Sequence, residues 1–198
     1  MKNLNGSKKK TIIIFTGPSG VGKGTIEKFL FDAKELRLAF SCSATTRKPR
    51  IGEIDKVHYL FISKSNFEQK IKDNKFLEYS YHFDNYYGTL YEEIDRIHAD
   101  NKVPFLEIET NGAKQILEKE SVLQNYNLLT FFILPPTIDD LKQRILNRNT
   151  ESEDSINKRL DKAIAEINDK HLFKHIIIND DANKAASEII KIIKEEVE

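Results

Sequence analysis

The fold of this chain is decided by the stretch Gly17-Pro18-Ser19-Gly20-Val21-Gly22-Lys23-Gly24-Thr25. It follows the apolar residues 11–15, which are typical of a buried strand, and it precedes Ile26, Phe29 and Leu30, spaced as one face of a helix. A glycine-rich loop with a lysine between a strand and a helix favours a nucleotide phosphate-binding loop over a glycine-rich turn without a ligand. Backbone N–H groups wrap an anion there, and the helix N-terminus favours negative charge.

The loop departs from the usual phosphate-binding pattern at one position. Lys23 is placed to reach the outer phosphates, but Gly24 stands where Ser or Thr usually binds magnesium. Thr25 comes next, and we expect its hydroxyl to bind a phosphate oxygen or a magnesium-bound water. Mg²⁺ keeps several of its waters, so the ATP phosphates and water would hold most of the ion.

Composition limits the classes of function that the chain can have. Its 198 residues are enough for one domain with a core and a small inserted lobe. Lys plus Arg equals Asp plus Glu at 31 each, so no overall field attracts nucleic acid, and clustered arginines must carry any anion binding. No apolar stretch is long enough to span a membrane. The single cysteine, Cys42, favours a reducing compartment, and we expect a cytoplasmic protein.

Strand-like runs alternate with helical patterns along most of the chain. Residues 1–10 are polar and basic, and we expect a flexible tail there, followed by one domain over 11–198. Further strands are predicted at 103–108, 128–134 and 175–178. Helices are predicted from Thr137 with Asp140, from Thr150 with Glu153, and over 186–197. This alternation predicts an α/β fold with a parallel sheet flanked by helices and a nucleotide site at the carboxyl ends of its strands.

The stretch over about 40–89 differs from the rest. It contains strand-like runs at 57–62 and 76–81, and Ser65 with Glu68 resembles the capping box of a helix. We predict a small, partly β lobe here, inserted into a core formed by 11–39 and 90–198.

A second anion site is predicted within this lobe. Arg47 and Arg50 lie three residues apart across Pro49, which stiffens the turn. Two guanidinium groups on a short loop can grip a phosphate with planar, two-pronged hydrogen bonds, and Tyr59 and Tyr87 could add hydroxyl donors. The alternative is a solvated basic loop.

These motifs, taken in order, resemble those of guanylate kinases. The resemblance runs from Ile12 to Ile190. Besides the phosphate loop, the blocks that carry it are 43–52 with Tyr59, 76–78, 86–89, 105–109 with Gly112, 147–151, 155–160 and 178–181. Several independent blocks in register are more specific than any one of them.

The resemblance implies a role for each matching residue. The phosphate of GMP would be bound by Arg47, Arg50, Tyr59 and Tyr87, and guanine by Ser43, Glu78, Thr89 and Glu109. ATP would be bound by residues 17–25 with Arg144 and Asn179 near adenine. The transferred phosphoryl group would be surrounded by Lys23, Arg148 and Arg159, and Arg47 would link the two sites. These four are the expected catalytic residues. Thr25 and Glu107 would orient Mg²⁺, chiefly through water.

Arg148 and Arg159 lie on either side of the polar segment 149–154, which we interpret as part of a lid over about 144–160; the alternative is a solvated turn between two helices. Family members usually have Asp where this chain has Glu109 and Gln where it has Asn111, so the longer Glu109 needs a backbone shift or a bridging water to reach the base.

The expected activity is transfer of the γ-phosphoryl group of ATP to GMP and dGMP, in purine nucleotide metabolism. We expect a monomer or homodimer that binds neither nucleic acid nor membrane. The alternatives are a phosphopeptide-binding module of the same fold, or a related kinase for another phosphorylated small molecule.

Overall fold

Two β-sheets organise the chain. The structure is a computed structural model that describes residues 9–146 and 153–197. The strands are β1 (Lys10–Thr16), β2 (Leu38–Phe40), β3 (Ala44–Thr45), β4 (Leu60–Phe61), β5 (Phe76–His82), β6 (Asn85–Leu90), β7 (Val103–Glu107), β8 (Tyr126–Leu134) and β9 (His175–Ile178). The helices are α1 (Lys23–Asp32), α2 (Lys64–Lys72), α3 (Tyr91–Ala99), α4 (Thr110–Leu117), α5 (Glu120–Asn125), α6 (Ile138–Leu146), α7 (Glu153–Asn168) and α8 (Ala182–Val197).

The larger sheet is parallel and has the order β2-β7-β1-β8-β9. Its central strand β1 is buried on both faces, because Ile13 packs towards α1 and α8 while Ile14 packs towards α3 and α4. Strands buried in this way read as continuous apolar runs, which is why the sequence indicated them. The predicted α/β fold with a parallel sheet flanked by helices is confirmed.

The smaller sheet has the order β4-β3-β6-β5 and its own core around Phe67, Phe76 and Leu90. It lies within the stretch predicted as an inserted lobe. The strand predicted over 57–62 is only the two residues Leu60–Phe61, which pair with the equally short β3.

The start of α2 differs from the prediction. Ser63 caps this helix, since its Oγ accepts a hydrogen bond from the N–H of Asn66 at 3.2 Å, so the capping box expected at Ser65 is wrong. Two serines lie two residues apart here, and the burial of Phe67 against the small sheet decides which one precedes the helix. The strand-like run predicted over 76–81 corresponds to β5 (Phe76–His82).

The ends of the elements place the candidate site. The strands β1, β7 and β9 end at Thr16, Glu107 and Ile178, so the loops that follow them meet at one edge of the larger sheet. At the other end, β1 begins at Lys10, inside the stretch predicted as a tail, and the rest of that tail up to residue 8 lies outside the described residues. None of the helices in the described ranges is long and apolar enough to cross a membrane.

We predict that Phe105→Ala lowers the free energy of unfolding by about 3–5 kcal/mol, the usual loss for a fully buried aromatic ring. Phe105 has no exposed surface and contacts the rings of Phe15, Phe31 and Phe40 at centroid distances of 5.1, 5.4 and 5.5 Å. Urea unfolding followed by circular dichroism measures the change. Phe29→Ala, at a phenylalanine that is 38% exposed, should cost far less, and equal losses would contradict the assignment of the core.

Candidate active site

The loop between β1 and α1 has a conformation that requires glycine. Gly20 and Gly22 have φ angles of +90° and +100°, a region that residues with a Cβ rarely adopt. A Cβ at Gly22 would also lie 2.6 Å from Nδ2 of Asn179. The glycines therefore allow the loop to turn its backbone N–H groups towards one point, as an anion site requires.

Two side chains from outside the loop fix its backbone. The carbonyl oxygen of Val21 accepts hydrogen bonds from Nδ2 of Asn179 at 2.7 Å and from Nη1 of Arg144 at 2.9 Å. Arg144 also donates through Nη2 to the carbonyl of Asn179 at 3.0 Å. In this structure Arg144 and Asn179 therefore hold the loop, and their contact with adenine stays a prediction.

Lys23 begins α1 and turns back over the loop. Its ammonium donates to the carbonyl of Gly17 at 2.8 Å and lies 3.8 Å from Oε1 of Glu107. Arg159, on α7, donates through Nη2 to Oγ of Ser19 at 2.9 Å. Two of the predicted catalytic cations thus lie at the loop, whereas Arg148 lies outside the described residues.

A cleft of about 840 Å³ opens beside the loop. Glu107 and Thr25, the residues predicted to orient Mg²⁺, both line this cleft. The predicted site residues along its wall are Gly17, Ser19, Gly20, Gly22, Lys23, Gly24, Thr25, Tyr59, Glu107, Glu109 and Arg159. Pro18 lies in the same loop, where its carbonyl accepts the N–H of Val21 at 3.2 Å.

Sequence reasoning missed Glu27, a buried carboxyl behind this cleft. It is 9% exposed, and its Oε1 atom has no hydrogen-bond partner among the residues that the structure describes. Burial raises the pKa of Glu27 to about 7; repulsion from Glu107 adds to this effect, and the charge of Lys23 opposes it. A glutamate at this position of an amphipathic helix gives no sign of its burial in the sequence.

A second cleft, of about 610 Å³, adjoins the first. Tyr59, Glu107, Glu109 and Lys162 line both clefts, so the two spaces meet at the carboxyl end of β7. The predicted site residues along the second cleft are Ser43, Arg47, Arg50, Tyr59, Glu78, Tyr87, Glu107 and Glu109. The predicted GMP site and the phosphate loop are therefore neighbours.

Arg47 is oriented by Glu53, a residue that the sequence analysis did not single out. The guanidinium donates to both carboxylate oxygens of Glu53, at 2.9 and 2.8 Å, and the N–H of Arg50 donates to Oε2 at 2.7 Å. These hydrogen bonds, first that of Arg47, lower the pKa of Glu53 to about 2. An acidic residue three positions after the Arg-Lys-Pro-Arg turn was the available signal.

Glu78 has the most enclosed carboxylate of the second cleft. It is 5% exposed, and its Oε1 accepts a hydrogen bond from Oγ1 of Thr89 at 2.7 Å. Its Oε2 lies against Gly112 of α4, where an added Cβ would come within 2.7 Å. Burial raises the pKa of Glu78, while hydrogen bonds from Thr89 and the charge of Lys119 oppose that shift. Thr89 is itself buried, so it positions Glu78 from behind.

Glu109 immediately precedes α4 and forms an ion pair with Lys162 where the two clefts meet. Nζ of Lys162, on α7, lies 3.1 Å from each of its carboxylate oxygens. Both side chains are more than half exposed, so this pair is weak and a ligand could compete for it. The contact of Glu109 with guanine stays a prediction.

Comparison with known proteins identifies the family. The family model described as guanylate kinase matches residues 8–196. The chain belongs to the guanylate kinase family. It is 56% identical to a guanylate kinase of Mycoplasmopsis synoviae (strain 53) over 96% of this chain and 98% of that protein. It is 50% identical to one of Mycoplasmopsis pulmonis (strain UAB CTIP), over 93% and 94%.

A solved structure shares the fold. The crystal structure of guanylate kinase from Anaplasma phagocytophilum superposes with a TM-score of 0.68 at 23% identity, over 95% of this chain and 86% of that one. The family predicted from the sequence is therefore confirmed, and with it the predicted class of enzyme, a nucleoside monophosphate kinase.

We predict that Glu27→Gln stabilises the protein increasingly as pH rises from 5 to 8. The folded chain holds the Glu27 proton up to about pH 7, while the unfolded chain releases it near 4.5, so this group lowers the free energy of unfolding as pH rises through that window. The amide cannot ionise and removes the loss. Urea unfolding at pH 5, 6, 7 and 8 measures the difference between variant and parent.

Glu188→Gln, at an exposed carboxylate on α8, is the control and should give a difference that does not change with pH. A pH-independent difference for Glu27→Gln as well would contradict the account of this buried carboxyl.

Proposed function

We propose that this chain transfers the γ-phosphoryl group of ATP to GMP, and to dGMP, releasing ADP and the nucleoside diphosphate in purine nucleotide metabolism. The observation that carries the proposal is the buried Glu78 carboxylate, held by Thr89 in a cleft that adjoins the phosphate loop. The family assignment supports the same substrates.

Glu78 suits guanine because of the hydrogen-bonding groups of the two molecules. Guanine presents N1–H and the N2 amino group side by side as donors, and an ionised carboxylate accepts from both. Adenine presents a bare acceptor at N1, which would face the lone pairs of Glu78. A buried site of this kind can discriminate by on the order of 10⁴–10⁵, because the wrong base leaves polar groups unpaired. Ser43 and Glu109 complete the proposed base site.

The reaction needs no nucleophile from the protein. An oxygen of the GMP phosphate forms a bond to the γ-phosphorus of ATP while the bond from that phosphorus to the β,γ-bridging oxygen breaks, and its electron pair leaves with ADP. Arg47 and Arg50, with Tyr59 and Tyr87, would orient the GMP phosphate.

The remaining proposed roles concern charge on the transferred group. Lys23, Arg159 and Arg148 would neutralise the charge on its equatorial oxygens, and Arg47 would bridge the two substrates. Closure of the predicted lid over 144–160 would exclude water, which would otherwise accept the phosphoryl group.

The residues at the first cleft fit a hydrated divalent cation. Glu107 and Thr25 offer a carboxylate and a hydroxyl, the hard oxygen donors that Mg²⁺ prefers, and Mg²⁺ binds through few protein ligands and several waters. We propose Mg²⁺ as the ion, held through water by these two side chains. When bound, it neutralises charge on the ATP phosphates. The predicted cytoplasmic location and monomeric or homodimeric state stay predictions.

We predict that the protein uses GMP as acceptor when GMP, AMP, CMP and UMP are compared in a coupled assay of ADP release. In the same assay, Glu78→Gln should lower kcat/KM for GMP by about 100-fold or more. The amide offers guanine a donor where it needs an acceptor, and each unpaired buried group costs about 1–3 kcal/mol. Lys23→Ala should suppress turnover with any acceptor, because it removes a charge from the transferred group.

Glu92→Gln, at a carboxylate that is 65% exposed on α3, is the matched control and should keep parental rates. Equal rates on GMP and AMP would refute base selection by Glu78. Binding of a phosphopeptide without phosphoryl transfer would favour the interaction module, and turnover of a different phosphorylated acceptor alone would favour the related kinase.

A further inference from the structure

The strand that carries Glu78 has an open edge. Among the strands that the structure describes, β5 is the last of the smaller sheet and pairs only with β6, so the backbone groups on its other side have no neighbouring strand there. Such groups need other partners when they are covered by a helix. Here the partners are side chains from α4 and the residues just after it.

Gln115 occupies one part of this edge. Its Oε1 accepts from the N–H of Tyr79 at 3.2 Å, and its Nε2 donates to the carbonyl of Tyr79 at 2.8 Å. The side-chain amide thus makes the two hydrogen bonds that a residue of a neighbouring strand would make. Tyr79 directly follows Glu78, so this pairing fixes the backbone on one side of the carboxylate.

Lys119 occupies the other part of the edge. Its ammonium donates to the carbonyls of Phe76 at 3.1 Å and Leu77 at 2.6 Å. The register of β5 against β6 shifts between Phe76 and Glu78, which marks a bulge. A bulge disrupts the ladder and redirects the next side chain, so Lys119 binds the backbone at the point where the direction of Glu78 is set.

The contacts to β5 come from α4 and the turn that follows it. Gly112 and Gln115 lie three residues apart on one face of α4, and Lys119 follows this helix as the N-cap residue of α5. Gly112 leaves the room that the Glu78 carboxylate fills. One surface therefore gives Glu78 its space and holds the backbone on both sides of it.

Lys119 also supplies charge to this region. It is only partly exposed, and its positive charge favours the ionised form of Glu78 against the effect of burial. The neutral partner of Glu78 is Thr89 on β6. The other titratable or charged side chains that line the same cleft are Arg47, Arg50, Glu53, Tyr59, Tyr81, His82, Tyr87, Glu107, Glu109 and Lys162.

We propose that Lys119, with Gln115, is a positioning residue for the acceptor nucleotide: it fixes the bulge of β5 and so the direction of the Glu78 carboxylate, although it touches no substrate. The proposal rests on the proposed role of Glu78 in guanine binding. Selection of GMP then depends on a lysine 41 positions along the chain from Glu78, which binds the edge of the strand that carries this glutamate.

The test is the pH dependence of kcat/KM for GMP in Lys119→Met. This quantity reports groups of the free enzyme, and the titration of GMP itself is common to all variants. Loss of the Lys119 charge raises the pKa of Glu78, so the acid limb should move to higher pH. The KM for GMP should rise roughly tenfold near pH 7, as expected for loss of charged hydrogen bonds, while the KM for ATP stays at its parental value.

Two further lysine variants distinguish positioning from general damage. Lys119→Arg keeps the charge and the donors and should restore the parental acid limb. Lys114→Met removes a lysine of α4, the helix before Lys119, whose ammonium pairs with Asp169 at 2.7 Å, and it should leave the acid limb in place. An unmoved acid limb in Lys119→Met, or the same shift in Lys114→Met, would overturn the proposal.

The remaining outcomes are also decisive. If Lys119→Met does not fold, Gln115→Met replaces it: a raised KM for GMP with an unchanged KM for ATP supports the positioning role, and parental constants overturn it. Glu78→Gln distinguishes failure of the proposed role of Glu78 from failure of the proposed role of Lys119. If it keeps parental GMP kinetics, the role of Glu78 itself fails; if it loses GMP while Lys119→Met matches the parent, only the role of Lys119 fails.

Discussion

A carboxylate that has almost no contact with solvent is the constraint on which the rest of this site depends. An ionised Glu78 at this depth is unfavourable unless hydrogen-bond donors and positive charge surround it. Thr89 supplies one donor and Lys119 supplies charge, but neither completes the shell of acceptor sites around two carboxylate oxygens. A base with two adjacent donors would complete it. In the proposed function, guanine supplies the further hydrogen bonds that this carboxylate can accept.

The parallel sheet determines where that site faces. Because β1 and β7 end side by side, the phosphate loop, Glu107 and Glu109 lie at the same edge, and the two clefts join there. Two ion pairs line the joined clefts, Arg47 with Glu53 and Glu109 with Lys162. The pair of Glu109 is exposed and weak, so it can open for a ligand, whereas the two-pronged pair of Arg47 presents a guanidinium that is already oriented.

The sequence predicted the elements whose signal is local and missed those that depend on tertiary contacts. The loop of 17–25 and the buried strands were predictable because glycine conformations and continuous apolar runs are encoded in neighbouring residues. The proposed role of Glu78 was available only through family resemblance, since in Phe76–His82 this residue is an ordinary strand carboxylate. Gln115 and Lys119 could not be inferred, because their hydrogen bonds join residues 36 to 43 positions apart. Glu27 shows the same limit: its burial against Glu107 follows from the packing of α1, not from its own segment.

A crystal structure with GMP and a non-hydrolysable ATP analogue tests the central claim most directly. The account predicts that N1 and N2 of guanine both lie within about 3.2 Å of the Glu78 carboxylate oxygens, with a GMP phosphate oxygen facing the γ-phosphate across the joined clefts. Guanine bound elsewhere, with Glu78 still solvated or paired only to Thr89, would contradict it.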